Sequence, residues 1–141
     1  MTPAPLHATA VAVHGRGGWG GALLRGPSGA GKSDLALRLI ARGWQLVGDD
    51  YVYVWASGSR LFGAPVPTIA GRMEARGLGI LPVAHRRVCR IALVVDCRRE
   101  GVDRLPEPRF DTLAGVTLPQ LDLDVRPASA VETVIQAIRR L

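Results

Sequence analysis

Gly26-Pro27-Ser28-Gly29-Ala30-Gly31-Lys32-Ser33 fits the pattern G-x-x-x-x-G-K-[ST], which forms a phosphate-binding loop between a strand and a helix. The glycines let the backbone approach a ligand closely, and successive N–H groups then bind phosphate oxygens. Lys32 supplies an ammonium group for the β- and γ-phosphates, and the Ser33 hydroxyl is suited to Mg²⁺. The stretch therefore predicts a triphosphate site in which all eight residues contact the ligand.

The sequence on either side supplies the strand and the helix that such a loop requires. Residues 21–25 form a short apolar run that predicts a buried strand. Residues 33–42 predict a helix, because Leu35, Leu39 and Ile40 fall on one helical face. This context favours a phosphate site over the alternative of a glycine-rich turn without a ligand.

The composition limits the classes of partner. The chain has 141 residues and a formal net charge of +6, and Lys32 is its only lysine. The arginines are scattered and only 5% of the residues are aromatic, so no nucleic-acid partner is expected. No apolar run reaches the roughly 18 residues of a membrane-spanning helix, and no secretory signal is found. The length predicts one domain over residues 1–141, with no membrane partner. Because Cys89 and Cys97 provide no disulfide framework, a cytoplasmic setting is expected.

The rest of the sequence predicts an α/β fold that combines a mixed sheet with hairpins. Apolar runs predict strands at residues 7–13, 44–47, 51–55, 61–66, 89–95 and within 112–125. Turn residues at 14–20 and 57–60 predict two hairpins, and 89–95 is expected to be the central strand. Apolar residues at helical spacing predict a helix at 128–141 that packs on the sheet, whereas 71–80 shows no clear period.

Two adjacent carboxylates follow the predicted helix. Asp49 and Asp50 close a short strand, and in an α/β sheet this strand end lies at the same edge as the phosphate loop. Adjacent residues point in different directions, so one carboxylate is available to Mg²⁺ and the other to a hydroxyl proton. A pair of aspartates that caps a turn remains the alternative. The local sequences of His7, Glu74 and Arg76 leave their roles open.

These residues together resemble the kinase/phosphorylase of HPr, the phosphocarrier protein of the bacterial sugar phosphotransferase system. The resemblance rests on His7, the phosphate loop, the aspartate pair and Met-Glu-Ala-Arg-Gly-Leu-Gly-Ile-Leu at residues 73–81. That last segment looks like the family's signature core, Glu-x-Arg-Gly-Leu-Gly-Ile. The match covers roughly residues 7–127 and corresponds to the family's C-terminal catalytic domain, so a short form without the N-terminal domain is expected.

The resemblance implies a protein serine kinase that uses ATP and Mg²⁺ to phosphorylate an HPr-like phosphocarrier protein. It leaves phosphate-dependent dephosphorylation open as a second activity. Residues 125–129 replace a basic stretch that the family associates with dephosphorylation, so the kinase direction is the primary expectation. The implied fold is a P-loop α/β domain similar to phosphoenolpyruvate carboxykinase, and the implied assembly is a homo-oligomer, a hexamer in the family.

The resemblance also implies roles for individual residues at the phosphate. Asp50 would be the base that accepts the proton of the acceptor serine, and the acid in the reverse direction. Lys32 and the loop amides would hold the phosphates. Ser33 and Glu74 would serve Mg²⁺, and Asp49 is a further metal candidate as the other member of the aspartate pair.

The resemblance implies further roles at three other places in the sequence. His7 would lie close to the transferred phosphate. Residues 102–105, Val-Asp-Arg-Leu, look like the family's Phe-Asp-Arg-Leu, which makes Arg104 the cation that stabilises the transition state. Arg76, Gly77 and Gly79 belong to the signature segment together with Glu74.

Two other functions stay open on the residues themselves. A small-molecule kinase would share the phosphate loop, although the sequence shows no arginine-rich lid stretch of the usual kind. A non-catalytic sensor would bind ATP and a partner without transferring phosphate. A GTPase is disfavoured, because the chain has no Asn-Lys-x-Asp motif and its single lysine lies in the loop.

Overall fold

The computed structural model describes residues 4–141, and within that range the chain forms eleven strands and two α-helices. The strands are, in chain order, β1 (Leu6–His7), β2 (Thr9–Gly15), β3 (Gly18–Arg25), β4 (Gln45–Gly48), β5 (Tyr51–Ser57), β6 (Arg60–Pro65), β7 (Arg72–Ala75), β8 (Gly79–Pro82), β9 (Cys89–Cys97), β10 (Arg109–Leu113) and β11 (Val116–Leu123). The helices are α1 (Lys32–Ile40) and α2 (Ala130–Arg139), and a short 3-10 helix spans Pro67–Ile69. No helix in the described range is long and apolar enough to cross a membrane.

Nine of the strands form one mixed sheet, and β7 and β8 form a separate antiparallel pair. The order across the large sheet is β1-β5-β6-β9-β3-β2-β4, with β11 also paired to β9 and β10 paired to β11. Strands β3, β9 and β11 are parallel, and β4 shares their direction because β2 is antiparallel to both β3 and β4. The carboxyl ends of these four strands therefore open at one edge, where α/β sheets bind ligands. The predicted mixed sheet is confirmed, as are its hairpins β2–β3 and β5–β6.

A hydrophobic core lies on each face of the sheet, because side chains alternate along the strands. Leu23 and Val94 are buried on one face, whereas their neighbours Leu24 and Val95 are buried on the other. Helices α1 and α2 cover the face that holds Leu24, and Val134 of α2 is completely buried there. Burial of such a side chain contributes about 1.5–3 kcal/mol, so the predicted packing of the last helix on the sheet is confirmed.

Two segments differ from the sequence predictions. The strand predicted at 7–13 divides, because β1 pairs with β5 whereas β2 pairs with β3 and β4. Between them, the Ala8 N–H donates to the Asp50 carbonyl at 3.0 Å. Residues 71–80, which showed no clear period, contribute β7 and the start of β8. Met73 is the only buried residue of this strand pair, so almost no apolar alternation marks it in the sequence.

Candidate active site

The phosphate loop leaves β3 at the ligand edge of the sheet and ends at Lys32, the first residue of α1. Gly29 and Gly31 have φ values of 82° and 95°, which residues with a side chain rarely adopt. A Cβ atom at Gly31 would also overlap with a methyl group of Val125. The glycines therefore give the loop its left-handed turns and let it pack against the chain that follows β11.

We expect Gly31→Ala to destabilise the protein more than Gly29→Ala does. Both changes impose a left-handed backbone on alanine at a cost of about 1–2 kcal/mol, but a Cβ at Gly29 meets no atom within 4 Å. The contact with Val125 adds about 1–3 kcal/mol of overpacking to the first change only. Denaturant unfolding of the two variants measures the difference. Equal decreases in the free energy of unfolding would show that the Val125 side chain moves aside without an energetic penalty.

Lys32 is a buried cation that has only neutral partners. Its residue is 5% exposed, and its Nζ donates to the carbonyl oxygens of Gly26 at 2.8 Å and Pro27 at 3.0 Å. None of the ion pairs formed within residues 4–141 involves it. A buried charge is costly unless it is paired, so this ammonium fits a site that receives an anion. The loop and its lysine are thus chemically suited to a phosphate group.

Asp49 is the buried member of the aspartate pair and connects three elements. Its Oδ1 accepts hydrogen bonds from Ser33 Oγ at 2.7 Å, from Thr9 Oγ1 at 2.9 Å and from the Asp50 N–H at 3.1 Å. A hydroxyl and a carboxylate side by side offer the oxygen ligands that Mg²⁺ prefers. Within the described part of the chain, no group of three or more His, Cys, Asp or Glu side chains is arranged to hold a metal ion by itself. That donor set fits Mg²⁺, which is usually held by one or two carboxylates together with substrate phosphates.

We expect Thr9→Val to loosen the aspartate pair. The Thr9 hydroxyl is buried, donates to Asp49 and accepts the Asp50 N–H at 3.3 Å, and valine retains the shape but not the hydroxyl. Unpaired buried groups should lower the free energy of unfolding by about 1–3 kcal/mol and raise the Mg²⁺ concentration needed for half-maximal activity. Denaturation and Mg²⁺ titration test this, with Thr9→Ser as the control that keeps the hydroxyl. A Thr9→Val protein that matches the parent in both measurements would contradict it.

Asp50 is the exposed member of the pair and has an unusual backbone. Its φ is 65°, in the left-handed region that aspartate and asparagine tolerate better than most residues. Partial burial in the site, and next the Asp49 carboxylate, raise the pKa of Asp50 above its ordinary value, while His7 and Lys32 oppose that change. A carboxylate with a raised pKa is a stronger proton acceptor, which suits a general base.

One cavity of about 470 Å³ joins the phosphate loop to most of the predicted site. Of the loop residues, it is lined by Ser28, Gly29, Gly31, Lys32 and Ser33. The predicted residues beyond the loop that line it are His7, Asp49, Asp50, Glu74 and Arg76. Asp34, Leu37, Ala75 and Arg99 complete the lining. Side chains from five separate parts of the chain therefore converge on one volume beside the loop.

The remaining predicted residues have different positions. His7 stands beside Tyr51, with their ring centroids 5.2 Å apart, where β1 pairs with β5. Gly77 lies in the turn between β7 and β8 and Gly79 begins β8, both with positive φ values, whereas Glu74 of β7 lines the cavity. Arg104 lies exposed in the loop between β9 and β10, and it is not among the residues that line the cavity.

The sequence reasoning overlooked two side chains of the site. Thr9 lies in an apolar strand. The sequence marks it only as a polar residue at a position that the alternation of the strand buries. Arg99 donates to the Gly29 carbonyl at 2.8 Å, although the two residues are 70 positions apart. It belongs to a polar loop with several arginines, so no local pattern distinguished it.

Several curated proteins named HPr kinase/phosphorylase are similar to this chain. The protein of Treponema pallidum strain Nichols is 34% identical over 145 residues, which cover 93% of this chain and 44% of that protein. The protein of Streptococcus thermophilus strain LMD-9 is 33% identical, covering 94% of this chain and 46% of its own length. The protein of Geobacter sulfurreducens is 34% identical, and the match covers 85% of this chain and 42% of that protein. This chain therefore spans less than half the length of these relatives.

A solved structure and a family profile extend these similarities. The Hpr(Ser) kinase/phosphatase from Coxiella burnetii has the same fold, with a TM-score of 0.80 and 23% identity over 98% of this chain and 95% of that one. The profile described as HPr Serine kinase C-terminal domain matches residues 2–140. Fold, phosphate loop and sequence agree, and the chain belongs to the HPr serine kinase C-terminal domain family.

Proposed function

We propose that this chain transfers the γ-phosphoryl group of ATP to a serine hydroxyl of an HPr-like phosphocarrier protein. The observation that carries the proposal is that Asp50 lines the same cavity as a phosphate loop with a buried, unneutralised lysine. The loop accounts for the phosphate donor and Asp50 for the hydroxyl acceptor. The carrier as acceptor is inferred from the names of the relatives.

The chain's residues divide the work of binding. The loop N–H groups and Lys32 hold the phosphate oxygens and offset their charge, which is the main requirement of phosphoryl transfer. Ser33 and Asp49 are the residues that would hold Mg²⁺, with Glu74 across the cavity as a further ligand. The metal neutralises charge on the phosphates when it is bound.

Asp50 moves the proton. The serine oxygen forms a bond to the γ-phosphorus, its proton passes to an Asp50 carboxylate oxygen, and the bond from phosphorus to the β–γ bridging oxygen breaks to leave ADP. In the reverse direction, protonated Asp50 would return the proton to the serine oxygen while inorganic phosphate accepts the phosphoryl group and forms pyrophosphate. The direction in which the pKa of Asp50 is shifted, upward through partial burial and then Asp49, favours a carboxyl group that exchanges a proton with the serine oxygen.

The remaining predicted residues have supporting roles in this proposal. His7 and Arg76 place positive or hydrogen-bonding groups beside the transferred phosphate. Arg104 serves as the transition-state cation only if its exposed loop moves towards the cavity when substrates bind, since it does not line the cavity in this structure. An Arg104→Ala variant with normal transfer would remove it from this role.

Intact-mass measurement tests the proposed function directly. The chain is incubated with ATP, Mg²⁺ and a panel of HPr-like proteins, and the expected result is the mass gain of one phosphoryl group on a carrier. The matched control is the same carrier with the acceptor serine changed to alanine, which should gain nothing. Transfer to a metabolite instead of any carrier would indicate a small-molecule kinase. ATP binding without transfer to either would indicate a sensor.

A further inference from the structure

A second cavity lies on the other side of the phosphate loop, and the proposed phosphoryl transfer leaves it without a role. It has a volume of about 530 Å³, within the range of small-molecule sites. Its lining consists of the loop's outer part and the end of β9: Pro27, Ser28, Gly29, Ala30, Cys97, Arg98 and Arg99. Ser28, Gly29 and Arg99 line both cavities, so the loop tip is the rim between them.

The sheet topology assigns the two cavities to opposite ends of a triphosphate. Asp50 follows β4, which lies two strands from β3 on one side, whereas Cys97 ends β9, the direct neighbour of β3 on the other side. A triphosphate whose γ-phosphate meets Asp50 crosses the loop with its α-phosphate leading away from that aspartate. The rest of the nucleotide then leaves the loop on the β9 side, where the second cavity lies.

The chemistry of this cavity suits a planar base rather than another phosphate. Pro27 and Ala30 supply apolar surface, and the buried Cys97 forms part of the lining. Burial raises the pKa of the Cys97 thiol to about 12, so it stays neutral and unreactive. Arg98 is neutralised by Asp96, with 2.9 Å between its Nε and Oδ2. In this mostly apolar pocket, one of the two lining arginines is already paired, which leaves little for a free anion to bind.

Arg99 is the exception, because its guanidinium has no carboxylate partner among the ion pairs of residues 4–141. Its Nη2 donates to the Gly29 carbonyl at 2.8 Å, and its own carbonyl accepts from Arg126 Nη2 at 2.7 Å. Arg126 is in turn held by Asp124 at 2.9 Å. The main chain of Arg99 is therefore anchored, while its planar side chain lies exposed at the rim, available to stack on a base.

We propose that the cavity between the phosphate loop and the end of β9 binds the base and ribose of the nucleotide, with Arg99 stacked on the base. This inference rests on the proposed function, since it assumes that the phosphate loop holds a nucleoside triphosphate. It assigns a nucleoside site and a specificity-determining residue that the loop pattern does not contain.

Photolabelling with 8-azido-ATP locates the base directly. The expected result is a label, displaced by excess ATP, on peptides that contain residues 27–30 or 97–99. An ATP-displaced label confined to the signature segment, residues 73–81, would overturn the nucleoside site and leave nucleotide binding intact. The absence of any ATP-displaced label would count against nucleotide binding itself, and would overturn the proposed function together with this inference.

Calorimetry on one substitution tests Arg99. The dissociation constants of ATP and of inorganic tripolyphosphate are compared in the parent protein, in Arg99→Ala and in Arg60→Ala, a control at the exposed turn of β5–β6. Loss of base stacking should lower the preference for ATP over tripolyphosphate about tenfold in Arg99→Ala, and leave it unchanged in Arg60→Ala. An unchanged preference in Arg99→Ala, or an equal weakening of both ligands, would overturn the stacking role.

Discussion

Replacing Lys32 with methionine is expected to weaken ATP binding by at least about 2 kcal/mol, roughly 30-fold, and to reduce phosphoryl transfer by about 10² to 10³. The ammonium is buried in the loop, and its hydrogen-bond partners within residues 4–141 are two carbonyl oxygens. Methionine has a similar length and no charge, so the phosphates would lose the buried ammonium of Lys32. Calorimetric titration with ATP and single-turnover transfer measure the two effects.

The stability of the same variant separates binding from folding. Because Lys32 carries an uncompensated buried charge, an apolar replacement of similar size should leave the thermal midpoint unchanged or raise it. Lys32→Arg is the matched control, since it retains the charge but replaces a compact ammonium with a wide planar group. It should also fail to bind ATP normally. Normal ATP affinity in Lys32→Met would remove the loop from nucleotide binding.

Replacing Asp50 with asparagine is expected to reduce phosphoryl transfer by about 10² to 10⁴ while ATP still binds. Asparagine tolerates the left-handed backbone of this position and differs from aspartate only in the group that accepts the proton. Asp34→Asn removes another carboxylate charge from the same cavity and so reports the contribution of charge alone. If the rate of phosphoryl transfer falls no further in Asp50→Asn than in Asp34→Asn, Asp50 is not the base.

The pH dependence of transfer provides a second readout for Asp50. Its pKa is raised in the folded protein, chiefly by partial burial and then by Asp49. Only the carboxylate accepts the serine proton, so the rate of the kinase reaction should fall as the pH drops through this raised pKa. The residual transfer of Asp50→Asn should lack that acidic decline. If the transfer rate of the variant still falls at low pH as in the parent protein, the decline reports the titration of another group.

The sheet shows why some elements could be predicted and others could not. Strand β9 is recognisable because nine consecutive residues are mostly apolar, as a strand between two neighbours requires. The two hairpins are recognisable from short turns between apolar runs. In the pair β7–β8 only Met73 is buried, so no alternation of apolar residues in the sequence predicts that these strands pair. The break between β1 and β2 depends on β5, which lies more than forty residues away.

The sequence by itself determined the phosphate loop and the elements that flank it, because these depend on neighbouring residues and on local backbone conformation. It also determined the family, because the family's motifs are short stretches of consecutive residues. Tertiary structure alone decided how the two aspartates are placed relative to the cavity. Pairing across 40 residues buries Asp49 between Thr9 and Ser33, and a left-handed turn leaves Asp50 exposed to the cavity. It also brings Arg99 onto Gly29 from the end of another strand. Such contacts follow from the order of strands in the sheet, which no local pattern encodes.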